Sequence, residues 1–111
     1  MNINTLKENQ FYILLIDGEL DASSSIILDN AFTEALSKKE NKILVDCSRL
    51  NYISSAGLGV FMSYLQDFEN DNISMVLYQV SDKVKNVFTI LGLDSLIRIV
   101  ANKEEAIALM N

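Results

Sequence analysis

Apolar residues in this chain recur with two periods, and the changes between them predict the element order. Phe11-Tyr12-Ile13-Leu14-Leu15-Ile16 is a continuous apolar run closed by Asp17-Gly18, the pattern of a buried strand. A shorter strand is predicted before it, around Ile3–Leu6. From about Ser24 to Lys38 the spacing changes to threes and fours. Ile27, Leu28, Ala31, Phe32, Ala35 and Leu36 fall on one face of a serine-capped helix. Ile43-Leu44-Val45-Asp46 reads as a second buried strand ending at an acid, followed by a loop. Leu58, Phe61, Met62, Leu65 and Phe68 then give helical spacing from about Ala56 to Glu69. Asn70-Asp71-Asn72 turns the chain into a strand over Ile73–Tyr78. Ser81-Asp82 opens a helix carrying Val84, Val87, Phe88 and Leu91, with Gly92 placed to stop it. Leu96–Val100 is a short strand. Asn102 and Glu105 then form a capping-box pair for a last helix with Ala106, Ile107 and Met110 inward. Met62, Met75 and Met110 all fall at core spacings.

Strands and helices alternate after the first two strands. This predicts an α/β domain with a mixed sheet of about five strands, parallel crossovers and about four helices packed against it. At 111 residues, with half of them hydrophobic and no linker or repeat, the expectation is a single domain over 1–111. A chain of this size buries roughly two thirds of its unfolded surface, enough for a core without disulfides or metals.

Composition mainly excludes. The net charge of -6, with nine scattered basic residues, argues against nucleic-acid binding, which requires Lys and Arg to neutralise phosphates. A chain without histidine cannot assemble a Ser-His-Asp or Cys-His nucleophile, and zinc loses its usual ligand. Ile53 stands at the first glycine of a nucleophile elbow around Ser55, and Met62 at the third glycine of a dinucleotide fingerprint begun by Gly57 and Gly59. No enzyme, cofactor or metal is expected. The single cysteine, Cys47, permits no intramolecular disulfide and reads as a packing residue. No stretch approaches the roughly 18 apolar residues of a membrane span, and the expected location is cytoplasmic.

Candidate chemistry concentrates at Ser54-Ser55-Ala56-Gly57-Leu58-Gly59, where two hydroxyls meet the start of a helix. The N–H groups there lack partners and carry partial positive charge, so a hydroxyl can cap the helix or carry a phosphate. Ser55 has both readings. Gly57 and Gly59 either allow close packing or expose backbone to a partner. Asp21 and Asp46 read as turn or strand-end carboxylates. Both are expected near Ser55, because sites in such sheets gather beyond the carboxyl ends of strands. Asp21 is also a candidate interface residue.

The run from Asp46 to Val60, which contains Ile53-Ser54-Ser55-Ala56-Gly57-Leu58-Gly59-Val60, resembles the signature of the STAS domain family. Gly18-Glu19-Leu20-Asp21 is similar to the family's second short signature, and Gly92-Leu93 to its later turn. The resemblance extends from about Asn9 to Met110. It implies a STAS fold and an anti-sigma factor antagonist, with an anti-sigma factor serine kinase of GHKL type as partner. Unphosphorylated, such a protein binds the kinase and releases the sigma factor; phosphorylation switches binding off. The matching acceptor is Ser55. Where the family usually has Asp before the acceptor, this chain has Ser54, which makes Ser54 the competing acceptor. The implied partner surface comprises Asp21, Ser54, Ser55, Ala56, Gly57, Leu58 and Gly59. The alternative is a constitutive STAS scaffold, stressosome-like or a lipid-transport accessory.

Overall fold

A computed structural model describes residues 1–110; Asn111, the last residue of the expected 1–111 domain, lies outside them. The elements run β1 (Asn2–Glu8), β2 (Phe11–Leu20), α1 (Ser25–Ser37), β3 (Lys42–Ile53), α2 (Ser55–Asn70), β4 (Ser74–Tyr78), α3 (Asp82–Ile90), a 3-10 turn (Leu93–Ser95), β5 (Arg98–Val100) and α4 (Lys103–Met110). They form a five-stranded sheet in the order β1-β2-β3-β4-β5, antiparallel between β1 and β2 and parallel thereafter. The predicted architecture, a mixed sheet of five strands with four helices, is the one observed.

Residue alternation along the strands divides the apolar interior in two. Tyr12, Leu14 and Ile16 of β2, Ile43 and Val45 of β3 and Leu77 of β4 face α1, α2 and α3. Phe11 and Ile13, with Leu44, Val76 and Tyr78, face α4 through Ala106 and Met110. Burial on both faces explains why β2 and the start of β3 read as unbroken apolar runs. On the larger side, Phe32 of α1 meets Phe61 and Phe68 of α2 edge-on at 5.6 and 5.5 Å, and Phe61 meets Phe88 of α3 at 5.9 Å. Aromatic edges against faces lock the three helices together. Tyr64 of α2 adds a polar clamp, donating its hydroxyl to the Asp29 carboxylate on α1 at 2.7 Å.

Helix ends follow the predicted chemistry in α3 and α4. The Ser81 hydroxyl accepts from the Val84 N–H at 3.2 Å, and Gly92 adopts φ +73° just past the end of α3. The Asn102 side chain accepts from the Glu105 N–H at 2.9 Å, while the Glu105 carboxylate accepts from the Ala101 N–H at 3.1 Å.

Several expectations need correction. β3 does not end at Asp46 in a loop but continues to Ile53, pairing with β2 as far as Leu20. Two register shifts against β2 interrupt the ladder, so its later buried residues, Cys47, Leu50 and Ile53, fall every third position. A bulged strand loses the period of two by which strands are recognised. β2 likewise runs through Asp17-Gly18, where Gly18 takes φ +119° within the strand. Ser24 precedes α1 but does not cap it: its hydroxyl accepts from the Asp21 N–H at 2.9 Å and lies 2.8 Å from the Glu19 carbonyl. Met62 and Leu91 leave the core, 47% and 56% exposed, and Ile27 is also exposed. β5 begins at Arg98 rather than Leu96.

Candidate functional site

The site forms where the end of β3, paired with the end of β2, delivers the chain into α2. Ser54 holds the extended backbone of an N-cap, and its side chain accepts from the Gly57 N–H at 3.2 Å. Its own N–H donates to the Leu20 carbonyl at 2.9 Å, fastening the helix start to the end of β2. The capping role left open for Ser55 therefore belongs to Ser54.

Ser55 is the first residue of α2. Its side chain is exposed and makes no hydrogen bond among the described residues, and it stands at the N-terminal end of the helix, where backbone N–H groups lack helical partners. A free hydroxyl beside the positive end of a helix dipole is accessible to a transferase and compatible with an added anion.

The two glycines differ in purpose. Gly57 is buried, and a Cβ there would stand 2.7 Å from Leu20 Cγ and 3.0 Å from the Leu20 carbonyl oxygen. The missing side chain lets α2 start directly against β2. Gly59 is exposed, and a Cβ there would meet nothing within 4 Å. Gly59 thus leaves the surface of α2 low and open. Leu58, 2% exposed, belongs to the core and supports the surface from below. Ser55, Gly59 and Met62 fall at helical positions i, i+4 and i+7, so they share one face, and all three are exposed. Ala56 is exposed beside them. The sequence pattern missed Met62 as a surface residue because its spacing also fits the edge of the buried stripe.

Asp21 joins the site through the backbone, since the carbonyl that accepts the Ser54 N–H belongs to the Leu20–Asp21 peptide. Its Oδ1 accepts from the Ser23 hydroxyl at 2.7 Å and from the Ser23 and Ser24 N–H groups at 3.0 Å each. The Ser24 hydroxyl is 3.0 Å away. These hydrogen bonds, led by the Ser23 hydroxyl, hold the Asp21 carboxyl below the usual aspartate value. Asp21 is thus a turn-forming carboxylate that also borders an open depression with Glu19 and Ser23.

Asp46 is not part of this arrangement. Six residues of β3, roughly 20 Å of strand, separate it from Ile53. It pairs with Leu15 and Tyr78, and its carboxylate accepts the Ser48 N–H at 2.9 Å. Cys47 is 1% exposed, and burial pushes its thiol well above the usual range, as befits packing. Among the described residues, no cluster of acids and cysteine could hold a metal ion, and no helix is long and apolar enough to cross a membrane.

Comparison with known proteins places this geometry in context. The STAS domain family model matches residues 2–106. The anti-sigma-B factor antagonist of Staphylococcus aureus is 28% identical over 99 residues, spanning 89% of this chain and 92% of its own. Among solved structures, a candidate anti-sigma factor antagonist from Thermotoga maritima superposes with a TM-score of 0.89 at 25% identity, over 96% of this chain and 92% of that one. The Bacillus cell fate determinant SpoIIAA, in its phosphorylated form, shares the fold with a TM-score of 0.73 at 20% identity, over 99% and 100% of the two chains.

Proposed function

The chain belongs to the STAS domain family, and from that premise we propose that it is an anti-sigma factor antagonist switched by phosphorylation at Ser55. In the unmodified state it binds an anti-sigma factor serine kinase of GHKL type and thereby releases the sigma factor that the kinase holds. The kinase transfers the γ-phosphoryl group of ATP to Ser55 Oγ; the hydroxyl proton passes to a base on the kinase and ADP leaves. The phosphorylated protein no longer binds, and the anti-sigma factor recaptures its sigma partner. The protein acts as a cytoplasmic binding module, without catalytic residues, cofactor or nucleic-acid contact of its own.

One observation carries the reading: two adjacent serines at one helix start have divided the work. Ser54 is committed to the Gly57 N–H, whereas Ser55 is exposed and unbonded. A structural serine would be bonded in the manner of Ser54. The names of the relatives, anti-sigma-B factor antagonists, support the partner class. Among the residues first grouped as a partner surface, Ser55, Ala56 and Gly59 are exposed for direct contact, with Met62 added. Ser54, Gly57 and Leu58 shape that surface, and Asp21 borders it.

Incubation with the cognate kinase and ATP should place one phosphate on Ser55, read by tandem mass spectrometry. Phosphate confined to Ser54 or to the Ser23–Ser25 cluster would overturn the assignment. A phosphate brings about -1.5 to -2 charges to the positive end of a helix, so the modified protein should keep its fold, its stability changing by no more than roughly 1–2 kcal/mol. Circular dichroism melts of both forms test this.

A further inference from the structure

A second concavity lies at the far end of α2, about ten residues or roughly 15 Å of helix from Ser55. It is a cleft of about 340 Å³, walled by Leu65 and Phe68 of α2, Met75 of β4, and Leu96 and Ile97 before β5. Phe68 and Ile97 are buried in the core beneath it, while Leu96 is 61% exposed at its rim. The cleft exists because β5 pairs with β4 only from Val76 onward, so Ser74 and Met75 have no strand beside them there. Its volume is at the lower end for small-molecule sites, which are apolar concavities with a few polar groups that orient the ligand.

Three polar residues line it, Ser74 and the two charged ones, Glu69 and Arg98. Of the two arginines, Arg49 is paired with Asp17, but none of the ion pairs among the described residues uses Arg98 or Glu69. An apolar cleft bordered by one unpaired cation and one unpaired anion fits a ligand with an apolar body and both charges. A carboxylate alone would answer Arg98 but meet Glu69 with like charge, and an amine alone would do the reverse. We propose that this cleft binds a free α-amino acid with a large apolar side chain. The side chain occupies the wall of Leu65, Phe68 and Leu96, the carboxylate pairs with Arg98, and the ammonium pairs with Glu69. Arginine suits the first role because its planar fork matches a carboxylate.

The test is a methyl and amide NMR titration of the full chain with L-phenylalanine, 3-phenylpropanoate and phenethylamine. The amino acid should shift Leu65, Met75, Leu96 and Ile97, with an affinity of about 1 mM or tighter. It should bind at least about tenfold more tightly than either singly charged analogue. Arg98→Gln should bind L-phenylalanine no better than phenethylamine, and Glu69→Gln no better than 3-phenylpropanoate. Equal binding of all three compounds, shifts elsewhere on the protein, or no shift would each overturn the proposal. So would variants that alter the melting temperature but leave ligand discrimination unchanged, because Glu69 and Arg98 would then act on the fold and not on a ligand. None of these readouts involves Ser55 or a kinase.

Discussion

Gly57 and Leu20 touch so closely that a methyl group on Gly57 would stand 2.7 Å from Leu20 Cγ and 2.9 Å from its Cδ2. Leu20 has no exposed surface into which to retreat, so Gly57→Ala must displace either the strand end or the helix start. Overpacking of this kind costs about 1–3 kcal/mol. Gly59→Ala, facing open space in the first turns of α2, should instead be neutral or stabilising by up to about 1 kcal/mol, since alanine restricts the unfolded chain and favours helix. Urea denaturation of both variants checks the contrast. Equal destabilisation would mean that Gly59 is also a packing glycine.

The two serines should separate in the same way. Ser54→Ala removes the side chain that accepts the Gly57 N–H and should cost about 1 kcal/mol, within the range for lost N-caps. Ser55→Ala removes an exposed hydroxyl without a partner and should change stability by less than about 0.5 kcal/mol. Chemical denaturation gives both values, and mass spectrometry of Ser54→Ala after kinase treatment should still find the phosphate on Ser55. If Ser55→Ala proved the more damaging of the two, the division of roles would be reversed.

Much of this site was legible in the sequence because its parts are local. A hydroxyl pair before a helical apolar stripe identifies a helix start, and glycines at 57 and 59 identify a bare surface or a close approach. What could not be read was which serine caps and which glycine packs. Those outcomes depend on Leu20, a residue brought in from β2 by the sheet. The extent of β3 was hidden for a related reason. From Asp46 to Asn51 the chain is mostly polar, and the bulges against β2 replace alternation by a period of three at Cys47, Leu50 and Ile53. A strand defined by its neighbour rather than by its own pattern looks like a loop in isolation, and Asp46 was therefore expected beside Ser55. Met62 and Leu91 were misplaced because helical spacing specifies a face, whereas the width of the buried stripe depends on what packs against it.

Asp21 should make stability depend on pH. Its folded carboxyl titrates below the usual value because the Ser23 hydroxyl, then the Ser24 N–H, the Ser24 hydroxyl and the Ser23 N–H, bond its charged form. A depressed carboxylate contributes stability above the unfolded value of about 4, and that contribution is lost as pH falls through the folded value. The stability difference between wild type and Asp21→Asn should therefore be largest near neutral pH and shrink below about pH 4. Urea midpoints across this range measure it. A difference that stayed constant through acid would assign the effect to amide geometry in the turn rather than to the charge.

Binding to the anti-sigma factor should depend on charge at Ser55 more than on the hydroxyl itself. A partner seated over Ser55, Ala56, Gly59 and Met62 must remove water from this strip. A neutral hydroxyl is inexpensive to desolvate and can bond across the contact, whereas a carboxylate or phosphate is costly to bury unless a basic group awaits it. Ser55→Asp should weaken binding, and Ser55→Ala should bind like wild type while resisting inactivation by the kinase. A loss of roughly 2.8 kcal/mol is about a hundredfold in affinity, enough for the anti-sigma factor to return to its sigma partner. Because Ser55 is exposed and unbonded, neither substitution should disturb the fold, so a change in affinity can be assigned to the surface. Calorimetry with the three proteins, accompanied by thermal melts, measures both quantities. Equal affinity throughout, with unchanged melts, would favour a constitutive scaffold in which the state of Ser55 is never read.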